Sequence, residues 1–231
     1  MLTLRPADDR GRTRLEWLDS RHTFSFGDYQ DPRHMGFGPL RVINDDRVAP
    51  GRGFGTHAHR DMEILTWVLD GALQHRDSLG NGSVIRPGEV QIMSAGTGIQ
   101  HSEFNPSSTE PVRFLQVWIL PERQGLPPRY EQQPVRFDAG PVATIAGRRA
   151  GAVRVFQDAT VHAVRLAPGQ HVEIDLPAGR AAWVQVARGD VRLGDAALGE
   201  GDGAAIVRES AIALTASNDS EALVFDLPQQ A

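Results

Sequence analysis

Glycine and proline interrupt this 231-residue chain at short intervals, and this feature most constrains its fold. Between the interruptions lie short runs rich in valine, isoleucine, leucine, phenylalanine and tryptophan, as at residues 40–43, 64–69, 114–120 and 183–186. Several runs alternate apolar with polar residues, which is the period of a half-buried strand, and long stretches with helical period are scarce. We therefore predict an all-β barrel or sandwich architecture with few short helices.

Composition and charge exclude several classes of function. The chain has no cysteine, so disulfides, thiolate metal sites and cysteine nucleophiles are excluded. No apolar run approaches the roughly 20 residues that cross a bilayer, and the first ten residues lack the apolar stretch of a secretory signal. A net charge of -5 argues against binding nucleic acid by counterion release. We expect a cytoplasmic protein without a nucleic-acid or membrane partner.

The polar segment at residues 121–134 contains four prolines, which is typical of an extended connection. A strand, a turn and a second strand recur on either side of it, at residues 69–93 and 187–207. Two copies of one β-barrel would account for this likeness, and chance similarity among glycine-punctuated strands is the alternative. We predict two domains, residues 1–120 and 135–231, joined by a connecting segment at 121–134.

Two short patterns in the first half carry the candidate chemistry. His57 and His59 are two residues apart in a glycine-rich segment, so on a strand they would point to the same face. His101 and Glu103 have the same spacing roughly 40 residues later. If the pairs meet inside a barrel, three imidazoles and one carboxylate converge, and this donor set suits Fe, Mn, Ni, Cu or Zn. A lone histidine is usually structural, but two such pairs favour a metal site.

These patterns resemble the motifs of a known family. Residues 51–63 resemble the first cupin motif, and residues 87–103 resemble the pirin form of the second. Segments 17–26, 40–46 and 75–81 also resemble pirin, so the resemblance covers most of the first half, whereas the second half matches only in outline. The chain is most similar to the short bacterial pirin-like proteins with quercetin 2,3-dioxygenase activity.

The resemblance implies a bicupin, in which two jelly-roll barrels follow in tandem and only the first holds a metal. It implies one divalent transition metal, with Fe²⁺ as the leading assignment and Mn, Ni, Cu, Co or Zn as alternatives. The implied ligands are His57, His59, His101 and Glu103. Glu63 occupies the place of the usual cupin carboxylate ligand, and two extra residues precede His101, but both departures are themselves pirin-like.

We expect most of the other candidate residues to have structural or solvent-exposed roles. His171 and Glu173 share the two-residue spacing but fall out of register with the first half, so we expect them to be solvated. Four histidines have no histidine partner at this spacing in the sequence and are expected to be structural: His22, His34, His75 and His162. For His75 the alternative is a hydrogen bond to one of the metal ligands. Four apolar residues could line the mouth of a pocket or pack in the core: Phe24, Phe26, Met35 and Phe37.

The resemblance implies a metal-dependent dioxygenase that cleaves quercetin or a related flavonol, a small aromatic chelating substrate, with O₂. Glu103 is the candidate catalytic base, because it is the only carboxylate in the implied ligand set, and it would loosen from the metal to accept the substrate's hydroxyl proton. One alternative is a non-catalytic pirin-like regulatory or redox-sensing protein, and another is a metal-dependent isomerase. An apolar pocket at the metal would favour the dioxygenase, whereas a large exposed partner surface would favour the regulator. A basic, polar pocket would favour the isomerase. The sequence predicts no particular protein partner.

Overall fold

The structure is a computed structural model that describes residues 1–229, and these residues are almost entirely β. A 3-10 turn at Ala7–Asp9 is the only helical element in this range, so none of the described helices could cross a membrane. The chain folds into two compact units. Unit I comprises Gly11–Val135 and Val153–Gln157, and unit II comprises Met1–Arg10, Arg136–Ala152 and the residues from Asp158 onward.

Unit I is built from two antiparallel sheets. The larger sheet contains, in spatial order, β12 (Arg129–Pro134), β9 (Glu89–Ser94), β6 (Glu63–Asp70), β11 (Val112–Ile119), β4 (Leu40–Val48), β3 (Leu18–His22) and β2 (Gly11–Arg14). The smaller sheet contains β5 (Gly53–His59), β10 (Ile99–Phe104), β7 (Leu73–Asp77) and β8 (Gly82–Ile85). A two-residue strand, β14 (Val153–Arg154), also belongs to this unit.

Unit II repeats this arrangement. Its larger sheet contains β1 (Leu2–Arg5), β20 (Gly203–Val207), β17 (Arg180–Arg188), β22 (Ser220–Pro228), β15 (Thr160–Leu166) and β13 (Val142–Gly147). Its smaller sheet contains β16 (His171–Asp175), β21 (Ala211–Ala216), β18 (Val191–Leu193) and β19 (Ala196–Leu198). Strands β16 to β22 occupy the sheet positions of β5 to β11, strand for strand. The prediction of an all-β, two-domain jelly-roll fold of the cupin type is confirmed.

The two units differ from the predicted domain limits in three places, and the shortest is Val153–Gln157, which belongs to unit I although it falls within the predicted domain at 135–231. Strand β1 pairs with β20, so the first ten residues lie in unit II rather than with the rest of the predicted domain at 1–120. Strand β12 falls within the predicted connecting segment at 121–134, and it pairs with β9 in unit I. Both pairings use backbone hydrogen bonds at a sheet edge, which require no particular side-chain pattern and therefore leave little trace in the sequence.

The interior of unit I contains a polar band between apolar layers. Along one face of β6, Ile64 and Val68 belong to apolar clusters, while the buried Thr66 lies between them. On the neighbouring β11, buried Gln116 likewise follows two residues after the buried Phe114. In unit II the equivalent interior is filled by a continuous apolar cluster contributed by both sheets. Unit I therefore has a band of buried polar side chains where unit II has a continuous apolar core.

Gly53 permits the close pairing of β5 with β10, and this generates a prediction about stability. A Cβ added at Gly53 would lie 2.1 Å from the carbonyl oxygen of Glu103 and 2.5 Å from Phe104 Cα. We expect Gly53→Ala to lower the free energy of unfolding by about 1–3 kcal/mol, because backbone atoms would have to move apart. Denaturant unfolding of the variant and the parent protein measures the difference.

The matched control is Gly55→Ala on the same strand. A Cβ there would meet no atom of the described residues within 4 Å, so the change should stay within about 0.5 kcal/mol. Equal losses of stability in the two variants would contradict a specific role for Gly53.

Candidate metal centre

The pairing of β5 with β10 brings three histidines together. His57 lies directly opposite His101 in the antiparallel register, and His59 follows two residues later on the same face of β5. The Nε2 atoms of His57 and His101 approach to 3.0 Å. The ring centroid of His59 lies 4.8 Å from that of His57 and 4.9 Å from that of His101. One ligand nitrogen from each of these residues lies within 4.8 Å of the others.

Local hydrogen bonds orient the ring of His57. Its Nδ1 lies 2.8 Å from the carbonyl oxygen of Gly55, which can only accept, so Nδ1 carries a proton, and in the neutral tautomer that metal binding requires Nε2 presents a lone pair. That lone pair points toward the Nε2 atom of His101. Two nitrogen atoms at this distance require a proton or a cation between them, and a divalent transition metal fits this requirement.

Glu103 lies two residues beyond His101 on β10, after a β-bulge that shifts the register between them. Its side chain is buried, and the amide Nε2 of Gln116 donates to both carboxylate oxygens at 3.0 and 2.8 Å. Gln116 is held in turn by the hydroxyl of Thr66, which donates to Oε1 at 2.8 Å. The polar band of unit I therefore positions this carboxylate.

The four predicted ligands fall into two overlapping groups. His57, His59 and His101 form the first group, whereas Glu103 joins His75 and His101 in a second group whose ligand atoms also lie within 4.8 Å of one another. His101 belongs to both groups. The residues could thus offer one carboxylate and three imidazoles, and this set of four remains a proposal.

His75 connects His101 to a carboxylate behind it. Its Nδ1 lies 3.4 Å from Nδ1 of His101, and its Nε2 lies 3.0 Å from Asp77 Oδ2. If Nε2 of His75 donates to Asp77, its Nδ1 accepts a hydrogen bond from Nδ1–H of His101, and Nε2 of His101 is left with a lone pair. Asp77 also accepts from the backbone N–H groups of Leu79 and Asn81, which fixes its position. The two-residue spacing of His75 and Asp77 on β7 is the sequence pattern that could have indicated these linked hydrogen bonds.

Burial sets the protonation states at the centre. It lowers the pKa of His59 to about 4, with His57 adding to the effect, and it lowers the pKa of His101 to about 2, with neighbouring imidazoles adding to it. Both rings are therefore neutral at pH 7, the form in which imidazole binds metals. Burial raises the pKa of Glu103 to about 7, against the opposing effect of the Gln116 hydrogen bonds. A cation beside Glu103 would favour the carboxylate.

A cavity of about 100 Å³ opens beside these residues, and its wall includes His57, His59 and Glu103. The apolar part of the wall is formed by Leu18, Phe26, Phe54 and Trp118. The polar part is formed by Thr13, Ser20, His22, Asn44, Asp46 and Gln116. The Trp118 ring packs edge-on against His59, with centroids 4.9 Å apart. Three of the four candidate ligands thus face a partly apolar pocket.

The remaining candidates take other positions. Of the four apolar candidates for a pocket mouth, Phe26 lines the cavity, Phe24 is buried in the core, Met35 is exposed, and Phe37 is half-buried outside the cavity wall. Glu63 is buried, and its carboxylate accepts from Ser94 Oγ at 2.9 Å and from the backbone N–H of Phe156 at 3.1 Å. Glu63 is therefore held by hydrogen bonds away from the cavity.

In unit II, the strand equivalent to β5 carries no such arrangement among the described residues. His171 and Glu173 are exposed on β16, as expected, while Val172 and Ile174 between and beside them pack against the apolar cluster. The partner strand β21 contributes buried Leu214 and other apolar side chains to the same cluster.

Fold and site together define a two-domain cupin in which histidines converge in one domain. The sequence profile of the family described as Pirin matches residues 4–119, and that of the quercetinase C-terminal cupin domain matches residues 142–227. The chain belongs to the pirin family, as its motifs predict.

Named relatives extend over the whole chain. A protein named quercetin 2,3-dioxygenase from Escherichia coli (strain K12) is 49% identical over 231 residues, covering 99% of each chain. The crystal structure of the bacterial pirin YhhW from Escherichia coli in complex with nickel(II) superimposes with a TM-score of 0.95, at 47% identity and with full coverage of both chains. A quercetin 2,3-dioxygenase structure from Acinetobacter baumannii gives a TM-score of 0.77 at 25% identity, covering 95% of this chain and 85% of that one.

Proposed function

We propose that this protein is a metal-dependent dioxygenase that cleaves quercetin or related flavonols with O₂. The observation that carries the proposal is the partly apolar cavity whose wall includes His57, His59 and Glu103. Such a pocket at the candidate ligands suits an aromatic substrate, and it favours an enzyme over a non-catalytic regulator or an isomerase of polar substrates. The name of the Escherichia coli relative supports the substrate class.

The proposed ligands of one divalent transition metal are His57, His59, His101 and Glu103. Fe²⁺ is our leading assignment, and the nickel(II) complex of the Escherichia coli relative supports Ni²⁺ among the alternatives, which also include Mn²⁺, Cu²⁺, Co²⁺ and Zn²⁺. A metal bound there would supply positive charge to stabilise a substrate oxyanion and to orient the reactants.

Glu103 is the proposed base. In this step the O–H bond of the flavonol hydroxyl breaks, and the proton moves to a carboxylate oxygen of Glu103. Gln116 donates to both carboxylate oxygens and so orients the carboxylate of Glu103. Phe54 and Trp118 contribute apolar surface to the cavity wall, which would limit access of water to a bound substrate.

The proposed function also implies particular partners and a cellular location. The partners are a small aromatic chelating substrate and O₂, and we expect no nucleic-acid or membrane partner. A cytoplasmic location, which the composition predicts, is part of the same proposal.

Oxygen consumption tests the proposal most directly. Protein purified anaerobically should contain about one transition metal per chain by elemental analysis. On exposure to air it should consume O₂ with flavonols and yield a ring-opened product, in proportion to bound metal. Metal-loaded protein that consumes no O₂ with any of a panel of flavonols and other chelating phenols would favour the regulatory alternative.

Glu103→Gln tests the role of the base. The amide keeps an oxygen that can contact the metal but cannot accept a proton at neutral pH, so we expect flavonol turnover to be abolished while metal content falls less. Steady-state kinetics and elemental analysis of the same preparation measure the two effects. Glu63→Gln is the matched control, because Glu63 is also buried but is bonded to Ser94 and Phe156. Full activity of Glu103→Gln would remove Glu103 from the mechanism.

His75→Phe tests the hydrogen-bond chain behind His101. Phenylalanine keeps a ring that can stack on Tyr130, whose centroid lies 4.7 Å from that of His75, but it removes the nitrogen facing His101. We expect the affinity of the stripped protein for a divalent metal to fall about 10–100-fold, measured by metal titration. His162→Phe in unit II is the control and should leave the affinity unchanged. Equal metal affinities for wild type and His75→Phe would show that the hydrogen bonds of His75 and Asp77 do not orient His101.

A further inference from the structure

Two polar atoms at the cavity have no hydrogen-bond partner within residues 1–229. They are Oδ1 of Asp46, a residue only 4% exposed, and Nε1 of Trp118, and both residues line the cavity. The carboxylate oxygen can accept a hydrogen bond, and the indole nitrogen can only donate one. A buried polar atom without a partner costs free energy comparable to a lost hydrogen bond, so these two atoms indicate a ligand that supplies partners to both.

The strand positions of Asp46 and Trp118 are well separated along the larger sheet of unit I. Strands β4 and β11 are neighbours, and in their register Trp118 is opposite Val42 while Asp46 is opposite Phe114. Four residues of extended strand, or about 14 Å, therefore separate the two positions along the sheet. Asn44 lines the cavity between them. A ligand that reaches both atoms must be elongated.

Asp46 Oδ1 acts as an acceptor when the carboxylate is ionised. Burial raises the pKa of Asp46 to about 7, and the neighbouring Asp45 and Glu103 add to this effect, while a hydrogen bond from Ser20 opposes it. A ligand hydroxyl that donates to Oδ1 would stabilise the ionised form. At the other position, packing against His59 and Phe26 fixes the Trp118 ring, with centroids 4.9 and 5.4 Å away.

We propose that Asp46 and Trp118 select and orient the substrate, Asp46 by accepting a hydrogen bond from a ring hydroxyl and Trp118 by donating one to an oxygen at the opposite end. This inference rests on the proposed function, because it assumes that a flavonol occupies the cavity. A flavonol with hydroxylated rings carries polar groups at both ends, whereas the parent flavonol without ring hydroxyls carries only its chelating edge. The protein should therefore discriminate in favour of ring-hydroxylated flavonols.

Anaerobic binding tests this preference without relying on turnover. Quercetin and the parent flavonol are titrated into wild type, Asp46→Leu and Trp118→Phe, with kcat/KM measured separately in air. We expect wild type to prefer quercetin, and Asp46→Leu to reduce the preference about 10–100-fold, because a hydrogen bond to a charged group is lost. Trp118→Phe keeps a ring but loses the N–H, so a reduction of about 3–10-fold is expected.

Control variants separate recognition from structure. Asp46→Asn keeps the shape of the side chain and one oxygen without the charge, so its preference should fall between those of wild type and Asp46→Leu. Glu63→Gln alters a buried carboxylate that does not line the cavity, and it should leave the preference unchanged.

Two outcomes would overturn the inference, and they are distinguishable. If wild type cleaves flavonols but none of the cavity variants changes the preference, Asp46 and Trp118 do not select the substrate and the proposed function stands. If wild type binds no flavonol, the inference fails together with the proposed function.

Discussion

The antiparallel register of β5 against β10 is the constraint on which the centre depends. It places His57 opposite His101, and the two-residue period of the strand brings His59 to the same face. A slip of one residue in either strand would turn its histidines away from the interior. Gly53 admits the close approach at the end of this pairing, where a larger residue would meet the backbone of β10. Backbone geometry thus determines which side chains can converge.

In the interior of unit I, polar side chains occupy positions where apolar side chains would otherwise pack. Thr66, Gln116 and Glu103 occupy buried positions and are joined by hydrogen bonds, so their burial is compensated by mutual contacts. At equivalent sheet positions, unit II uses apolar side chains such as Val184 and Leu214. The repeat therefore separates two tasks within one topology, because the same strands support a packed core in one unit and a polar centre beside a cavity in the other.

Much of the fold and part of the site could be predicted from local sequence. Alternating apolar runs indicate strands, and the same-face spacing of His57 and His59 indicates convergence on one side of a strand. The placement of β1 in unit II could not be predicted, because edge pairing depends on backbone groups. The cavity positions of Asp46 and Trp118 could not be predicted for another reason. Neither residue belongs to a local pattern of candidate site residues, and only the folded sheet brings them to the cavity that His57 and His59 line.

Two buried carboxylates at one cavity differ in their hydrogen-bond partners. Glu103 and Asp46 both have a pKa raised to about 7, chiefly by burial, and Glu103 contributes to the shift of Asp46. Gln116 donates to both oxygens of Glu103, which favours its charged form beside the histidines. Asp46 keeps one oxygen that no group within residues 1–229 satisfies. We therefore propose different tasks for these two groups of the same chemical type, Glu103 toward the metal and Asp46 toward a hydroxyl group of the substrate.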